Sequence, residues 1–222
     1  AIRAYIDSPN YLEIFKERSL MFEINVSAEK GYAWAFPSKG NLLNIGIGVP
    51  LNIFKKEKLD INVLLQDFIK QLENRGVVVE NVRDEKSYLL PFASSRPKIT
   101  KNVNVTLIGD ASSMINPMSG EGIFYGMEAG YLLAENTHNL LDSPDLNKGI
   151  VSYEKAFSKR FKKHYLSCAL ARLVLQSPFM TKRLLKVASN DQDTIDFVVE
   201  LLFDEAYLTF GEVVKIMYKF LL

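Results

Sequence analysis

The chain has 222 residues, 48% apolar and 24% charged, a balance that predicts a packed core rather than disorder. Lys plus Arg number 27 against 26 for Asp plus Glu, so no charge excess asks for a polyanion and no nucleic-acid partner is expected. One cysteine and two histidines exclude an intrachain disulfide and a Cys- or His-built metal centre, and no metal is expected.

No apolar run reaches the roughly 20 residues that span a bilayer, and the first residues carry no signal-peptide pattern. A cytoplasmic protein, at most peripheral to a membrane, is therefore expected. The start "AIRAYIDS" lacks Met and enters a strand-like run at once, which reads as a fragment of a longer protein.

Short apolar or alternating runs follow, "SLMFEINV", "GYAWAFPS" and "NLLNIGIGV", and predict an antiparallel meander over residues 1–50. "INVLLQDFIKQLEN", Ile61 to Asn74, places Val63, Leu64, Phe68 and Leu72 at helical spacing, and Arg75-Gly76 supplies a stop. "GVVVENV" and "KSYLLPF" read as further strands, and "VNVTLI", Val103 to Ile108, as an apolar strand. From Gly120 the pattern turns helical: one helix to about Leu141, a second from Leu146 to Gln176 ended by Pro178, and two or three more to the C-terminus. Cys168, in "YLSCALARLVL", reads as a buried core thiol. The chain is expected to be α+β, in three regions: a β-rich substrate-binding part with one helix (1–98), a strand–loop–helix junction (99–141) and a helical tail (142–222).

The junction "LIGDASSMINPMSGEGIFYG" has a chemical logic. Gly109 lets the backbone turn or approach a ligand closely. Asp110 follows at the carboxyl end of the expected strand, where its carboxylate would accept from sugar or polyol hydroxyls. Ser119-Gly120-Glu121-Gly122 leads into a helix whose first N–H groups lack intrahelical partners and favour negative charge. Gly122, Gly126 and Gly130 recur on one helix face, so that face can lie against a sheet or a flat ligand. The plain alternative is a strand–loop–helix connection. A dinucleotide fingerprint on Gly120, Gly122 and Gly126 fails, because it must follow a strand directly and here the Gly109–Gly120 segment intervenes.

These residues resemble the second flavin motif of p-hydroxybenzoate-hydroxylase-like FAD enzymes, in which Gly-Asp precedes a proline, here Gly109, Asp110 and Pro117. The continuation "GEGI" resembles the geranylgeranyl reductase family. Two further stretches match that family in order: "YAWAFP", Tyr32 to Pro37, followed by Asn44-x-Gly46-x-Gly48, and "YLLPF", Tyr88 to Phe92. The family's Gly-Asp-Ala-Ala-Gly reads Gly-Asp-Ala-Ser-Ser here, a departure that bears on contact with the cofactor phosphates.

The resemblance implies a C-terminal portion of a two-domain FAD oxidoreductase that reduces carbon–carbon double bonds of a prenyl lipid. It implies that Asp110 accepts from the ribityl chain, that Pro117 abuts the flavin ring, and that the N–H groups of Gly120, Glu121, Gly122 and Ile123 face its N1–C2=O edge. Tyr32, Trp34, Phe36 and Pro37 would form an aromatic wall for an apolar or lipid substrate; alone, the same alternation fits an ordinary core strand. No catalytic side chain is implied, since the flavin carries the chemistry. The reductant would be NAD(P)H, ferredoxin or the quinone pool. The Gly-rich N-terminal half of the FAD site is absent from these residues, so the chain alone is expected neither to retain FAD nor to be active. A flavin monooxygenase or halogenase, and a non-catalytic lipid-binding module, are the competing readings. "KRFKK", Lys159 to Lys163, is a solvated helix face or a contact for anionic headgroups.

Overall fold

The computed structural model describes residues 1–15, 20–24, 31–92, 105–141, 143, 145–175, 177–203, 206–212 and 215. It divides into two compact units, residues 1–89 and 90–222.

The first unit is built on a five-stranded antiparallel sheet. Its strands are β1 (Ile2–Asp7), β2 (Met21–Ile24), β3 (Tyr32–Pro37), β4 (Leu42–Gly48) and β5 (Val82–Ser87), in the order β2-β3-β4-β1-β5. The expected meander is β2-β3-β4; β1 adds beside β4, with Ile2 opposite Ile47 and Asp7 opposite Leu42. Strict alternation explains which face is buried. Ile2, Ala4 and Ile6 of β1, Ala33 and Ala35 of β3, and Leu43, Ile45 and Ile47 of β4 all enter one core.

Helix α3 (Ile61–Asn74) contributes Leu64, Leu65, Phe68, Ile69 and Leu72 to that core. Its bounds are those expected, but Val63 points outward and is exposed. Asp60 caps it by accepting from the Asn62 N–H at 2.8 Å. Two short helices, α1 (Tyr11–Phe15) and α2 (Leu51–Lys56), complete the unit.

The two strands expected at "GVVVENV" and "KSYLLPF" are replaced by one, β5, "VRDEKS", lying between them. All six of its residues are exposed, so no apolar pattern announces it. It exists because the free edge of β1 offers backbone partners, with Ile2 opposite Ser87 and Ile6 opposite Val82. Beyond it, Phe92 makes only an isolated parallel bridge to Ile115.

The second unit is helical, with α4 (Ile123–Thr137), α5 (Leu146–Leu175), α6 (Pro178–Ala188) and α7 (Gln192–Phe203). Its core is aromatic: Met114, Tyr125, Ala129, Tyr153, Phe157, Phe161 and Tyr165. Pro178 is the first residue of α6, and Ser177 caps that helix. Of the expected strand Val103–Ile108, Val103 and Asn104 lie outside the described residues, and Thr106 to Ile108 form no strand. Helix α4 begins at Ile123 rather than Gly120, because Gly120 has φ +80° and no right-handed helix passes through that conformation. No helix among the described residues is long and apolar enough to cross a membrane.

Candidate functional site

On the first unit, the sheet face opposite the core carries Tyr32, Trp34 and Phe36, all partly buried. Ring centroids are 5.7 Å apart for Tyr32–Trp34 and 6.4 Å for Trp34–Phe36, and Phe22 of β2 meets Phe36 edge-on at 5.0 Å. Register explains the glycines of β4: Tyr32 lies opposite Gly48, Trp34 opposite Gly46 and Phe36 opposite Asn44. A Cβ on Gly46 would fall 2.1 Å from the Trp34 ring and 2.5 Å from the Ile2 carbonyl oxygen; one on Gly48 would sit 3.3 Å from Tyr32. The Tyr32 and Trp34 rings thus lie across strand positions that carry no side chain.

The Trp34 indole N–H donates to Asn44 Oδ1 at 3.0 Å, which fixes the ring and leaves its faces apolar. Burial pushes the Tyr32 hydroxyl up to about 12, so it stays neutral at physiological pH. Arg3 stacks on Tyr5 at 4.6 Å from its ring centroid. Pro37 closes β3 opposite Leu43.

On the second unit, Gly109 (φ +58°) opens a short 3-10 turn, Gly109–Ser112, that places Asp110 at the surface. The glycine stripe of α4 packs against this turn and the residues beside it. A Cβ on Gly126 would be 3.4 Å from the Gly109 Cα, one on Gly130 3.8 Å from Ile108, and one on Gly122 3.1 Å from Ile115. The Asp110 Oδ1 lies 3.6 Å from that Gly122 position, beside the start of α4, where a carboxylate is favoured.

The loop between turn and helix is well tied. Glu121 Oε1 accepts from the Phe124 N–H at 2.8 Å and Ser119 Oγ from the Glu121 N–H at 3.2 Å. The N–H groups of Gly122 and Ile123 have no partner among the described residues. Ile123 is 79% exposed, whereas Pro117 is buried.

A feature that the sequence did not announce lies beneath this loop. Asn116, His164 and Cys168 are fully buried and form one polar network with Tyr125. The Asn116 amide nitrogen is 3.0 Å from the Tyr125 hydroxyl, and that hydroxyl is 2.6 Å from His164 Nε2. His164 Nδ1 lies 2.6 Å from the Ala206 carbonyl oxygen, and the Cys168 sulfur 3.4 Å from Nε2. Burial pushes the Cys168 thiol up to about 12, so it is the inert core thiol expected of it rather than a nucleophile. The i, i+4 spacing of His164 and Cys168 was the only signal in the sequence.

The described architecture is α+β: a sheet with one helix-covered face and one aromatic face, and a helical unit with a glycine-rich loop at a helix start. Residues 8–85 match the family model described as geranylgeranyl reductase catalytic domain. The chain is 32% identical over 168 residues to a menaquinone reductase of Mycolicibacterium smegmatis, covering 74% of this chain and 38% of that protein. It is 30% identical over 141 residues to a digeranylgeranylglycerophospholipid reductase of Methanosarcina mazei, covering 62% and 32%. In fold it is similar to the crystal structure of a geranylgeranyl bacteriochlorophyll reductase-like protein of Thermoplasma acidophilum. That likeness has a TM-score of 0.60 at 20% identity, over 99% of this chain and 54% of that one. The chain thus spans about a third of the length of these two curated relatives. Over residues 8–85 it belongs to the geranylgeranyl reductase family, as the YAWAFP motif had implied.

Proposed function

We propose that this chain is part of an FAD-dependent oxidoreductase that reduces carbon–carbon double bonds of a prenyl lipid. One observation carries the reading: the aromatic face over the Gly46 and Gly48 floor lies wholly within residues 8–85, the segment matched to the geranylgeranyl reductase catalytic domain. Flat rings held from one edge, with apolar faces outward, suit an isoprenoid chain. Tyr32, Trp34, Phe36 and Pro37 are the proposed substrate contacts.

The loop of the second unit fits a flavin. The exposed Asp110 carboxylate can accept from a ribityl hydroxyl, and the free N–H groups of Gly122 and Ile123 can meet an acceptor edge that gains negative charge on reduction. Gly109, Pro117, Gly120 and Glu121 complete the proposed contact set. Bound FAD would supply the hydride chemistry; the residues here bind, orient and keep water away. NAD(P)H, ferredoxin or the quinone pool would provide the electrons.

The test uses the full-length parent protein. It should purify with FAD and, once reduced, add two hydrogens per double bond to a geranylgeranyl lipid, read by mass spectrometry. Trp34→Ala should lower kcat/KM about tenfold, the size of one lost aromatic contact. Protein free of flavin, or reduced flavin that is not reoxidised by any prenyl lipid, would overturn the proposal. A prenylated quinone is the second substrate reading, favoured by the menaquinone reductase match over 74% of the chain, and the same assay with menaquinone distinguishes the two.

A further inference from the structure

We propose that Asn116 is the positioning residue of the loop 116–122, and that His164, acting through Tyr125, fixes the orientation in which Asn116 does so. The proposal rests on the reading of that loop as the flavin site, and it deepens that reading.

Asn116 holds the loop by the oxygen of its side chain and by its backbone. Its Oδ1 accepts from the Met118 N–H at 2.8 Å and from the Ser119 N–H at 3.2 Å. Its own N–H donates to the Glu121 carbonyl at 2.7 Å, and its carbonyl accepts from the Gly120 N–H at 3.0 Å. Four bonds therefore wind residues 116–121 around one buried amide, immediately before the free N–H groups of Gly122 and Ile123.

The amide works in one direction only. Flipped, it would set an NH2 group against two backbone donors. What prevents the flip is the buried chain of hydrogen bonds behind it. The Ala206 carbonyl can only accept, so His164 Nδ1 carries the ring proton and Nε2 accepts. Tyr125 then donates to Nε2, and its oxygen accepts from the Asn116 amide, which also reaches the Leu201 carbonyl at 3.4 Å. Among the described residues, the groups that face the ring include the Asn116 amide nitrogen, 3.2 Å from Nε2, Tyr125 from α4, Tyr165 and Cys168 from α5, and the Ala206 carbonyl. A second proton on the ring would turn its acceptor into a donor. Tyr125 would then receive two donors, and its own hydrogen would lose its acceptor. A polarity set at His164, 48 residues away in sequence, is thereby delivered to the loop.

The test again uses the full-length protein, with FAD as the probe. Asn116→Asp keeps the shape and the oxygen that faces Met118 and Ser119, but replaces the donor behind with an acceptor. FAD affinity should fall about tenfold near pH 8, the worth of one to two buried hydrogen bonds. It should recover as the pH falls and His164 takes up a second proton, which supplies the missing donor. The wild type should run the opposite way, losing FAD toward acid. Tyr125→Phe, a milder change, should weaken FAD about threefold and flatten the pH profile.

Hydrogen exchange at the Met118 and Ser119 amides reads the clamp without any flavin; their protection relative to the intrinsic rate at each pH should fall in Asn116→Asp at pH 8 and recover at pH 6. An Asn116→Asp protein that keeps wild-type affinity and protection at both pH values would overturn the proposal. So would a loss equal at every pH that merely tracks a lower Tm. If the wild type binds no FAD, the functional reading fails, and the clamp is judged on exchange alone.

Discussion

The two units use glycine for opposite ends. In β4, Gly46 and Gly48 make room for side chains: the Trp34 ring occupies the space where a Cβ on Gly46 would stand, and the Tyr32 ring lies 3.3 Å from one on Gly48. In α4, Gly126 makes room for backbone, letting the helix meet the Gly109 Cα at 3.4 Å from where its own Cβ would be. The first arrangement has no slack, because the neighbours are a rigid indole and a carbonyl oxygen. The second leaves ordinary van der Waals space. Glycine in a strand here preserves the lie of an aromatic ring, whereas glycine in the helix preserves the route of a loop.

The comparison is broken most severely at Gly46. Gly46→Ala forces Trp34 off its floor and should cost about 3 kcal/mol, at the upper end of overpacking. Trp34 is the only tryptophan, so intrinsic fluorescence reports both the unfolding midpoint and the displaced ring. Gly126→Ala should do the reverse and stabilise by about 0.5 kcal/mol, since helix propensity favours alanine and the contact is not prohibitive. A cost above about 2 kcal/mol there would show that the helix–turn contact is as strict as the ring floor.

Next is the response to alkali, which both units share through buried acids, Tyr32 in the first and Cys168 and Tyr153 in the second. Burial raises Cys168 from an ordinary 9.0, and Tyr153 from an ordinary 10.0, each to about 12. A raised folded value means that the native state holds its proton where the unfolded chain has lost it. This contribution is complete below about pH 9 and is lost as pH rises from 9 to 12. Urea midpoints of Cys168→Ala should fall less steeply over that range than those of the wild type. At pH 8 the thiol should resist alkylation until the protein unfolds.

A further effect concerns Tyr153, whose buried hydroxyl has no partner among the described residues. Tyr153→Phe removes a desolvated polar atom without leaving another unpaired. It should raise stability by up to about 1 kcal/mol, measured by thermal unfolding; destabilisation would reveal a partner for the hydroxyl.

Legibility followed from local chemistry. Strands β1 to β4 and helices α3 to α7 announced themselves by periodicity, and Gly76 and Pro178 by their backbone restrictions. The aromatic row was visible as alternation, but which face it took was not, because Ala33 and Ala35 are small enough to sit on either side. Strand β5 was missed because "VRDEKS" is held by backbone pairing alone. The start of α4 was set three residues early because Gly120 gives no sign in sequence of its left-handed φ. The network under the loop was invisible for a different reason. Asn116 and His164 are unremarkable locally, and only tertiary packing gives their hydrogen bonds a common direction.

Strand β5 has a consequence for association. It forms one rim of the described sheet, and its own residues Arg83, Asp84, Glu85 and Lys86 carry charges of both signs. Asp84 has φ +55°, and the pairing register shifts between Arg3 and Tyr5. A rim that is charged and kinked makes a poor template for another strand, since any newcomer must bury ionised groups and follow an irregular ladder. That side of the sheet is closed to polymerisation by its own composition, which guards a chain whose opposite rim, β2, is the apolar tetrapeptide "MFEI" broken by a single acid.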